Sequence, residues 1–78
     1  MQVHVVKVNG ILWSGEADSV VVPGAEGEMT VLPSHVPVVS SLRPGRIEVK
    51  KDNEEVYTYD VIRGGVLEIT GSRVSVLL

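Results

Sequence analysis

The sequence predicts an all-β protein built as a small β-sandwich, and three observations support that fold class. Valine alone fills 17 of the 78 positions, and β-branched residues favour strands over helices. Turn signals containing Gly or Pro break the chain at intervals close to the roughly 8 to 12 residues usual in β-sandwiches. Several segments between these breaks alternate apolar and polar residues, which is typical of strands with one buried face.

The length fits one domain that spans residues 1–78. Folding a chain of this size buries only about 60% of the surface that the unfolded chain exposes, so the core is thin and leaves little room for an enclosed catalytic cleft. The apolar fraction of 44% and the charged fraction of 22% are those of a globular protein. We therefore expect a binding protein rather than an enzyme.

Nine segments have the composition of strands. In residues 46–50 the apolar Ile47 and Val49 alternate with charged residues, and residues 73–76 repeat this pattern. We expect the apolar residues of both segments to face the core. The nine predicted strands are residues 2–8, 11–14, 16–22, 29–32, 36–42, 46–50, 55–62, 65–70 and 73–78.

Three turn signals carry specific expectations. Asn9-Gly10 predicts a type I′ hairpin, because both central residues of that turn need positive φ and these two residue types adopt it at low cost. Residues 51–54 mix charges of both signs and predict a solvated hairpin turn. Gly64-Gly65 lies directly before a strand and indicates a bulge or a close backbone approach rather than a phosphate-binding loop.

Residues 23–37 are the most distinctive segment, with three prolines, two glycines, two glutamates and His35. Prolines restrict the unbound conformations of a loop, so less entropy is lost when the loop binds. We expect a preformed surface that docks a partner. His35 is either a loop residue that bonds a backbone carbonyl or a polar anchor for another subunit.

Residue usage excludes several function classes. The chain has no cysteine and only two histidines, His4 and His35, so we expect no metal and no cofactor. The net charge of -3 and the scattered basic residues argue against nucleic acid as a partner. No apolar run approaches the roughly 18 residues that cross a bilayer, and the first residues are too polar for a signal peptide. Any membrane association must come through a partner.

Two segments resemble catalytic or phosphate-binding motifs but lack the features that their chemistry needs. Ser34 and His35 are adjacent, but neighbours along a strand point to opposite faces, which separates a nucleophile from its base. Residues 24–27 are rich in glycine but lack the Lys-Ser/Thr ending of a P-loop. Trp13 could line a sugar or aromatic site, although in a chain without Phe it fits better as a large core or interface side chain.

Several motifs, taken in order, resemble a known family. They are residues 14–28 (SGEADSVVVPGAEGE), 31–37 (VLPSHVP), 42–45 (LRPG) and 64–69 (GGVLEI). Their order and spacing resemble the N-terminal domain of the F-type ATP synthase epsilon subunit, which is called delta in mitochondria. The resemblance extends from about Val3 to Leu77, which is nearly the whole chain.

The resemblance implies a flattened ten-stranded β-sandwich and a non-catalytic rotor subunit in the central stalk. Such a subunit binds the gamma subunit and the c ring and links ion transport to ATP synthesis. The resemblance implies that Glu28, Met29 and His35 contact the c ring and that Lys7 and Ser40 contact gamma. It also implies a peripheral membrane protein on the cytoplasmic, stromal or matrix face.

Three features differ from the usual pattern of this family. Ser34 stands where glycine is usual, and Met29-Thr30 replaces an aromatic-glycine pair. Family members usually continue past the last strand into a helical hairpin, whereas this sequence stops at Leu78, so we expect no C-terminal helical hairpin here.

Two alternative functions stay open at this point. One is a lipoyl- or biotinyl-type carrier domain, modified at the Lys50-Lys51 hairpin, although the sequence lacks the residues that usually flank the modified lysine. The other is a minimal hydrolase centred on His35. The intact mass would reveal a covalent cofactor, and loss of turnover in His35→Ala would reveal the hydrolase.

Overall fold

The computed structural model describes residues 1–33 and 36–78, and that part of the chain contains nine strands and no helix. This confirms the predicted all-β class. The strand number equals the count made from the sequence and is one lower than the resemblance implied. The strands are β1 (Gln2–Lys7), β2 (Gly10–Glu16), β3 (Ser19–Gly24), β4 (Gly27–Val31), β5 (Val38–Leu42), β6 (Gly45–Lys51), β7 (Glu54–Val61), β8 (Gly65–Thr70) and β9 (Arg73–Leu77).

Two sheets form a nearly closed, barrel-like sandwich. The strands form one continuous path, β2-β1-β9-β8-β5-β3-β6-β7, with β4 paired to β3. We divide it at the contact of β5 with β3 into a five-strand sheet, β2-β1-β9-β8-β5, and a four-strand sheet, β4-β3-β6-β7. The sheets join where Gly24 at the end of β3 pairs with Leu42 at the end of β5. β1 and β9 pair in parallel, while the other pairs of described strands are antiparallel.

The core lies between the sheets and is built from aliphatic side chains. The alternation predicted for β6 and β9 is confirmed, because Ile47, Val49, Val74 and Val76 are all buried. Burial of such side chains contributes about 1.5 to 3 kcal/mol each to folding. The buried apolar residues are Val3, Val5, Ala17, Val20, Val22, Val31, Leu42, Ile47, Val49, Val61, Leu67, Ile69, Val74 and Val76.

The aromatic side chains close the gap between the edge strands β2 and β7. Trp13 of β2 stacks on Tyr57 of β7 with ring centroids 5.8 Å apart, and Tyr57 is 6.4 Å from Tyr59. The Nζ atom of Lys7 lies 5.9 Å from the Tyr59 ring centroid. These three rings are all the Trp, Tyr and Phe residues of the chain. Trp13 therefore packs against the core from a half-buried position, as the sequence favoured.

The first hairpin forms where it is predicted, but its predicted turn type is wrong. Lys7 pairs with Gly10, so the two loop residues are Val8 and Asn9 rather than Asn9 and Gly10. Neither loop residue has positive φ, and the positive φ of 139° falls on Gly10 instead. The pairing of Lys7 with Gly10 places Gly10 in β2 and out of the loop, and a bulge at Leu12 lies further along the same strand pair.

The type I′ pattern occurs in the β6–β7 hairpin instead. Asp52 and Asn53 are its loop residues, with φ of 54° and 64°. The backbone N–H of Asp52 donates to the Oδ2 atom of Asp18 at 2.7 Å, which ties the turn to the start of β3. The solvated hairpin turn predicted for residues 51–54 is confirmed.

Gly64 and Gly65 confirm the predicted close backbone approach. A Cβ atom on Gly64 would stand 2.7 Å from the carbonyl oxygen of Leu42, and one on Gly65 would overlap the carbonyl oxygen of Leu77. Gly64 also has a φ of 116°, which favours glycine. This glycine pair lets β8 begin between β5 and β9.

Two predicted strand boundaries move for identifiable reasons. The third strand begins at Ser19 rather than residue 16, because Glu16 ends β2, where its carboxylate accepts from the ammonium group of Met1 at 2.9 Å. The fifth strand begins at Val38 rather than residue 36, because Pro37 has no N–H to donate to a ladder.

Candidate functional site

A groove lies between β4 and β5, where the two sheets separate. It is lined by residues 25–29 and 38–41 and has a volume of about 570 Å³. One end is closed by a hydrogen bond from the Ala25 N–H to the Ser41 carbonyl at 2.9 Å. β4 pairs only with β3 and β5 pairs chiefly with β8, so the strand edges that face each other across the groove do not pair in the described structure.

The pleat of β4 determines what the groove presents. Met29 and Val31 turn inward, and Met29 packs against the core. Glu28 and Thr30 turn outward and are exposed. Gly24 allows this packing, since a Cβ atom there would be 2.8 Å from the Met29 sulfur. The groove therefore offers an exposed carboxylate beside a half-buried thioether.

Three of the residues predicted to contact subunits line this groove. Glu28 and Met29, assigned to the c ring by resemblance, lie on one wall, and Ser40, assigned to gamma, lies on the other. The Ser40 hydroxyl donates to the Ser41 carbonyl at 3.2 Å. The charged residues that line the groove are Glu26 and Glu28, so the groove is acidic.

Lys7, which the resemblance assigns to gamma, does not line the groove. Lys7 lies at the end of β1, beside the Tyr59 ring. His35 and its neighbour Ser34 lie outside the described residues, so the c-ring contact and the hydrolase centred on His35 stay predictions.

A second depression contains Lys7, and the sequence analysis missed most of it. It has a volume of about 450 Å³, and we call the part formed by Lys7, Ile62, Arg63 and Leu78 the basic corner. Its charged residues are Lys7 and Arg63. Ile62 is 76% exposed beside Arg63, and an exposed apolar residue next to a cation just before Gly64 is the signal that could have identified this surface.

The described side chains do not form a catalytic or metal site. The Ser14 hydroxyl and the Nδ1 atom of His4 are 2.9 Å apart, but the residues that pair with His4 in the described strands are Ser14 and Ser75, neither of which has a carboxylate to orient the imidazole. Residues 1–33 and 36–78 contain no group of three His, Asp or Glu placed to hold a metal ion.

The lysine pair does not match the position expected of a carrier lysine. Lys50 and Lys51 lie within β6, and the central positions of the hairpin turn are taken by Asp52 and Asn53. Lys50 also lies opposite Glu55 in the register. The tip of this hairpin is therefore not formed by a lysine that could carry a cofactor.

A family comparison decides between the open functions. Residues 1–78 match the family described as ATP synthase, Delta/Epsilon chain, beta-sandwich domain. The chain belongs to this family. The resemblance seen in the sequence is thereby confirmed, and the carrier-domain alternative is set aside.

Relatives in the Delta/Epsilon family are similar over nearly all of the chain. The ATP synthase epsilon chain of Acidithiobacillus ferridurans is 40% identical over 77 residues, which cover 99% of this chain and 53% of that protein. That of Maricaulis maris is 46% identical over 66 residues, covering 85% of this chain and 48% of that protein. The chain spans about half the length of the curated relatives it matches.

Solved structures agree with the sandwich fold. A chain in the Euglena gracilis mitochondrial ATP synthase, solved as OSCP/F1/c-ring, superposes with a TM-score of 0.83 at 26% identity, covering 96% of this chain and 48% of that chain. A chain of the Tetrahymena thermophila central stalk and c ring gives 0.78 at 12% identity, covering 99% and 61%, and supports the fold alone. In the part of the chain that is described, no helix is long and apolar enough to cross a membrane.

Proposed function

We propose that this chain is a non-catalytic rotor subunit that links the gamma subunit of an F-type ATP synthase to its c ring. The observation that carries the proposal is the match of the whole chain to the Delta/Epsilon family, together with its likeness to a chain solved in an OSCP/F1/c-ring assembly. In this role the chain passes the rotation of the ion-driven ring to the catalytic head.

The shape and surfaces of the domain suit such a linker. It is a compact body of 28 × 23 × 22 Å in which backbone hydrogen bonds connect neighbouring strands. Because such a body is closely packed, a force applied to one face is transmitted to the other without large deformation. Two of its depressions carry opposite charge, with glutamates in the groove and Lys7 and Arg63 in the basic corner. Two surfaces of opposite charge fit two different partners.

We assign the β4 wall of the acidic groove to the c ring. Glu28 is exposed on its rim and is suited to a charge-assisted hydrogen bond with a basic residue in the polar loops of the ring, while Met29 lines the groove from the inward side of β4. The sequence analysis predicts that His35 also contacts the c ring. Lys7 and Ser40 are assigned to gamma. The chain is then a peripheral membrane protein through its complex, on the side of the membrane that carries the catalytic head.

The test is co-purification of the chain with separately prepared gamma and c ring across a series of salt concentrations. We expect Glu28→Ala to weaken attachment to the c ring by up to about fivefold, because a rim ion pair contributes about 1 kcal/mol or less. Glu28→Lys adds repulsion and weakens attachment further, most at low salt. Gamma binding stays unchanged in both variants.

The matched control is Glu54→Lys, which makes the same change at the exposed β6–β7 hairpin, outside the groove. It leaves both attachments unchanged. If both Glu28 variants co-purify with the c ring as well as the parent does at every salt concentration, the c-ring assignment is wrong. If the parent binds neither partner, the proposed function is wrong.

A further inference from the structure

A pocket lies at the end of the sandwich where β1, β7 and β9 end. It is the depression of about 450 Å³ that includes the basic corner, and its other lining residues are Tyr59, Val61 and Gly64. We call this depression the end pocket. Pockets that hold small molecules measure about 300 to 1,000 Å³, and the mouths of β-barrels are a common place for them. The end pocket is therefore large enough for a small ligand.

The pleat of β7 gives the end pocket an apolar floor. Alternate residues of this strand point inward, so Tyr59 is half-buried and Val61 is 4% exposed. Leu78 forms a second apolar side, and both Leu78 and Tyr59 pack against the core. Ile62 adds an exposed apolar rim. A ligand with an apolar part would remove these surfaces from water.

The backbone around the end pocket is held in place without a ligand. The N–H of Leu78 donates to the Val6 carbonyl at 2.8 Å, which ties one side to β1. On the other side Gly64 has a φ of 116° and closely approaches the Leu42 carbonyl, which fixes the end of the segment that carries Arg63. A preformed pocket loses less conformational entropy when it binds a ligand.

The two cations of the end pocket have no acidic partner in the described structure. The Nζ atom of Lys7 is 5.9 Å from the Tyr59 ring centroid, within the range of a cation–π contact. Among residues 1–33 and 36–78 the one ion pair joins the Met1 ammonium to Glu16, so no described carboxylate neutralises Lys7 or Arg63. Two such cations beside an apolar floor attract an anion.

The lining side chains narrow the class of anion. Among the described lining residues, Tyr59 alone has an uncharged side chain that can form a hydrogen bond. A nucleotide or a sugar phosphate would bring several hydroxyl groups and ring nitrogens into the pocket, and these lose free energy when they are buried without partners. An alkyl chain needs no such partners. The end pocket therefore fits an anion whose remaining part is apolar.

We propose that the end pocket binds a small amphiphilic anion, a carboxylate carried on a short alkyl chain. The carboxylate accepts charge-assisted hydrogen bonds from the Lys7 ammonium and from the Arg63 guanidinium. The alkyl chain covers the floor formed by Tyr59 and Val61. This site goes beyond the proposed function and does not depend on it, because this chain alone forms the pocket.

The experiment follows the backbone amide signals of the full chain by NMR while octanoate is added below the concentration at which it forms micelles. We expect saturable shifts at Lys7, at residues 59–64 and at Leu78. Acetate has the carboxylate without the chain, and octylammonium has the chain with the opposite charge. Each should bind at least about tenfold more weakly than octanoate, because each keeps only one of the two interactions.

Side-chain variants test the two parts of the site separately. Lys7→Gln and Arg63→Gln should each raise the octanoate Kd about three- to tenfold, because each removes a charge-assisted hydrogen bond. Arg73→Gln, at the opposite end of β9, is their control and changes the Kd by less than about twofold. Ile62→Ser should raise the Kd about threefold or more. Its control is Val39→Ser, since Ile62 is 76% exposed and Val39 is 74% exposed.

Three results of the titrations would overturn the proposal. Equal binding of octanoate and octylammonium would show that the cations do not select the ligand. Equal binding of acetate would show a simple anion site without a role for the apolar floor. Shifts that do not saturate and spread over the exposed apolar residues would show that octanoate acts as a detergent. Circular dichroism checks that each variant is folded.

A vesicle arm separates a small ligand from a membrane surface. The chain is sedimented with vesicles of phosphatidylcholine alone and of phosphatidylcholine with phosphatidylglycerol. Binding to the anionic vesicles that is lost in Lys7→Gln and Arg63→Gln, without saturable octanoate binding, would make the end pocket a membrane contact and the proposal wrong. Saturable octanoate binding without sedimentation supports the proposal. Neither result changes the proposed attachment to gamma and the c ring, which is measured separately.

Discussion

Two carboxyl groups, those of Glu48 and Glu55, influence each other on the outer face of the four-strand sheet. Glu55 lies opposite Lys50 because the bulge at Val56 shifts the register of β7. The hydrogen bond with Glu48 raises the pKa of Glu55, and desolvation and the charge of Glu48 raise it further, while Arg46 and Lys50 lower it. Folding therefore makes the Glu55 carboxyl harder to ionise than an ordinary glutamate.

This pair predicts a pH dependence of stability. Because the folded pKa of Glu55 lies above its ordinary value of 4.5, its stabilising contribution is fully present below that value and is lost as the pH rises through the folded pKa. Glu55→Gln should be more stable than the parent at neutral pH, and the difference should vanish in acid. Urea unfolding between about pH 4 and pH 8 measures this, with Glu54→Gln as the control. A variant less stable than the parent at neutral pH contradicts the prediction.

At the scale of elements, the β6–β7 hairpin depends on two residues in the left-handed region. Asn53, with φ of 64°, tolerates this conformation better than most residues. Asn53→Ala should lower the free energy of unfolding by about 1 kcal/mol, because a Cβ atom without a compensating polar group is strained there. Asn53→Gly should be at least as stable as the parent. Urea unfolding measures both, and equal loss in both variants would show that the Asn53 side chain, not its φ, matters.

The aromatic closure between β2 and β7 makes a second element-scale prediction. Trp13 and Tyr57 stack between strands that are at the two ends of the strand order. A double-mutant cycle of Trp13→Leu and Tyr57→Leu should give a coupling of about 0.5 to 1.5 kcal/mol, the range of stacked aromatic pairs. Unfolding followed by circular dichroism provides the four free energies. A coupling near zero would mean that the rings touch without holding the edges together.

The sequence predicts the elements better than their arrangement. The alternation of Ile47 and Val49 reveals which face of β6 is buried, because the strand period is local. The pairing of β1 with β9 has no local signal, since it joins the two ends of the chain. Asn9-Gly10 predicts a type I′ turn, yet Lys7 pairs with Gly10, so that the loop residues are Val8 and Asn9.

The same limit applies to the candidate site. Resemblance identified Glu28, Met29 and Ser40, and the fold brings all three to one groove. It did not reveal that Lys7 lies in a separate depression with Arg63, because that depends on how the ends of β1 and β7 meet.

At the scale of the whole molecule, binding should add to a small intrinsic stability. A core of this size rarely supplies more than about 3 to 5 kcal/mol. Gamma at 100 times its Kd should add about 2.7 kcal/mol by mass action, because it binds the folded chain alone. The unfolding midpoint, followed by Trp13 fluorescence with a gamma lacking tryptophan, should rise accordingly. An unchanged midpoint at saturating gamma contradicts the binding.

Because the first and last strands pair with each other, β1 must wait during synthesis until β9 has been made. About seventy residues separate β1 from β9 along the chain, and at about 5 to 20 residues per second the ribosome needs roughly 4 to 14 seconds to make them. Through that interval β1 has β2 on one side and an open edge on the other. The nascent chain therefore carries a bare strand edge for seconds before the sandwich can close, and this is when it is most exposed to aggregation and to chaperones.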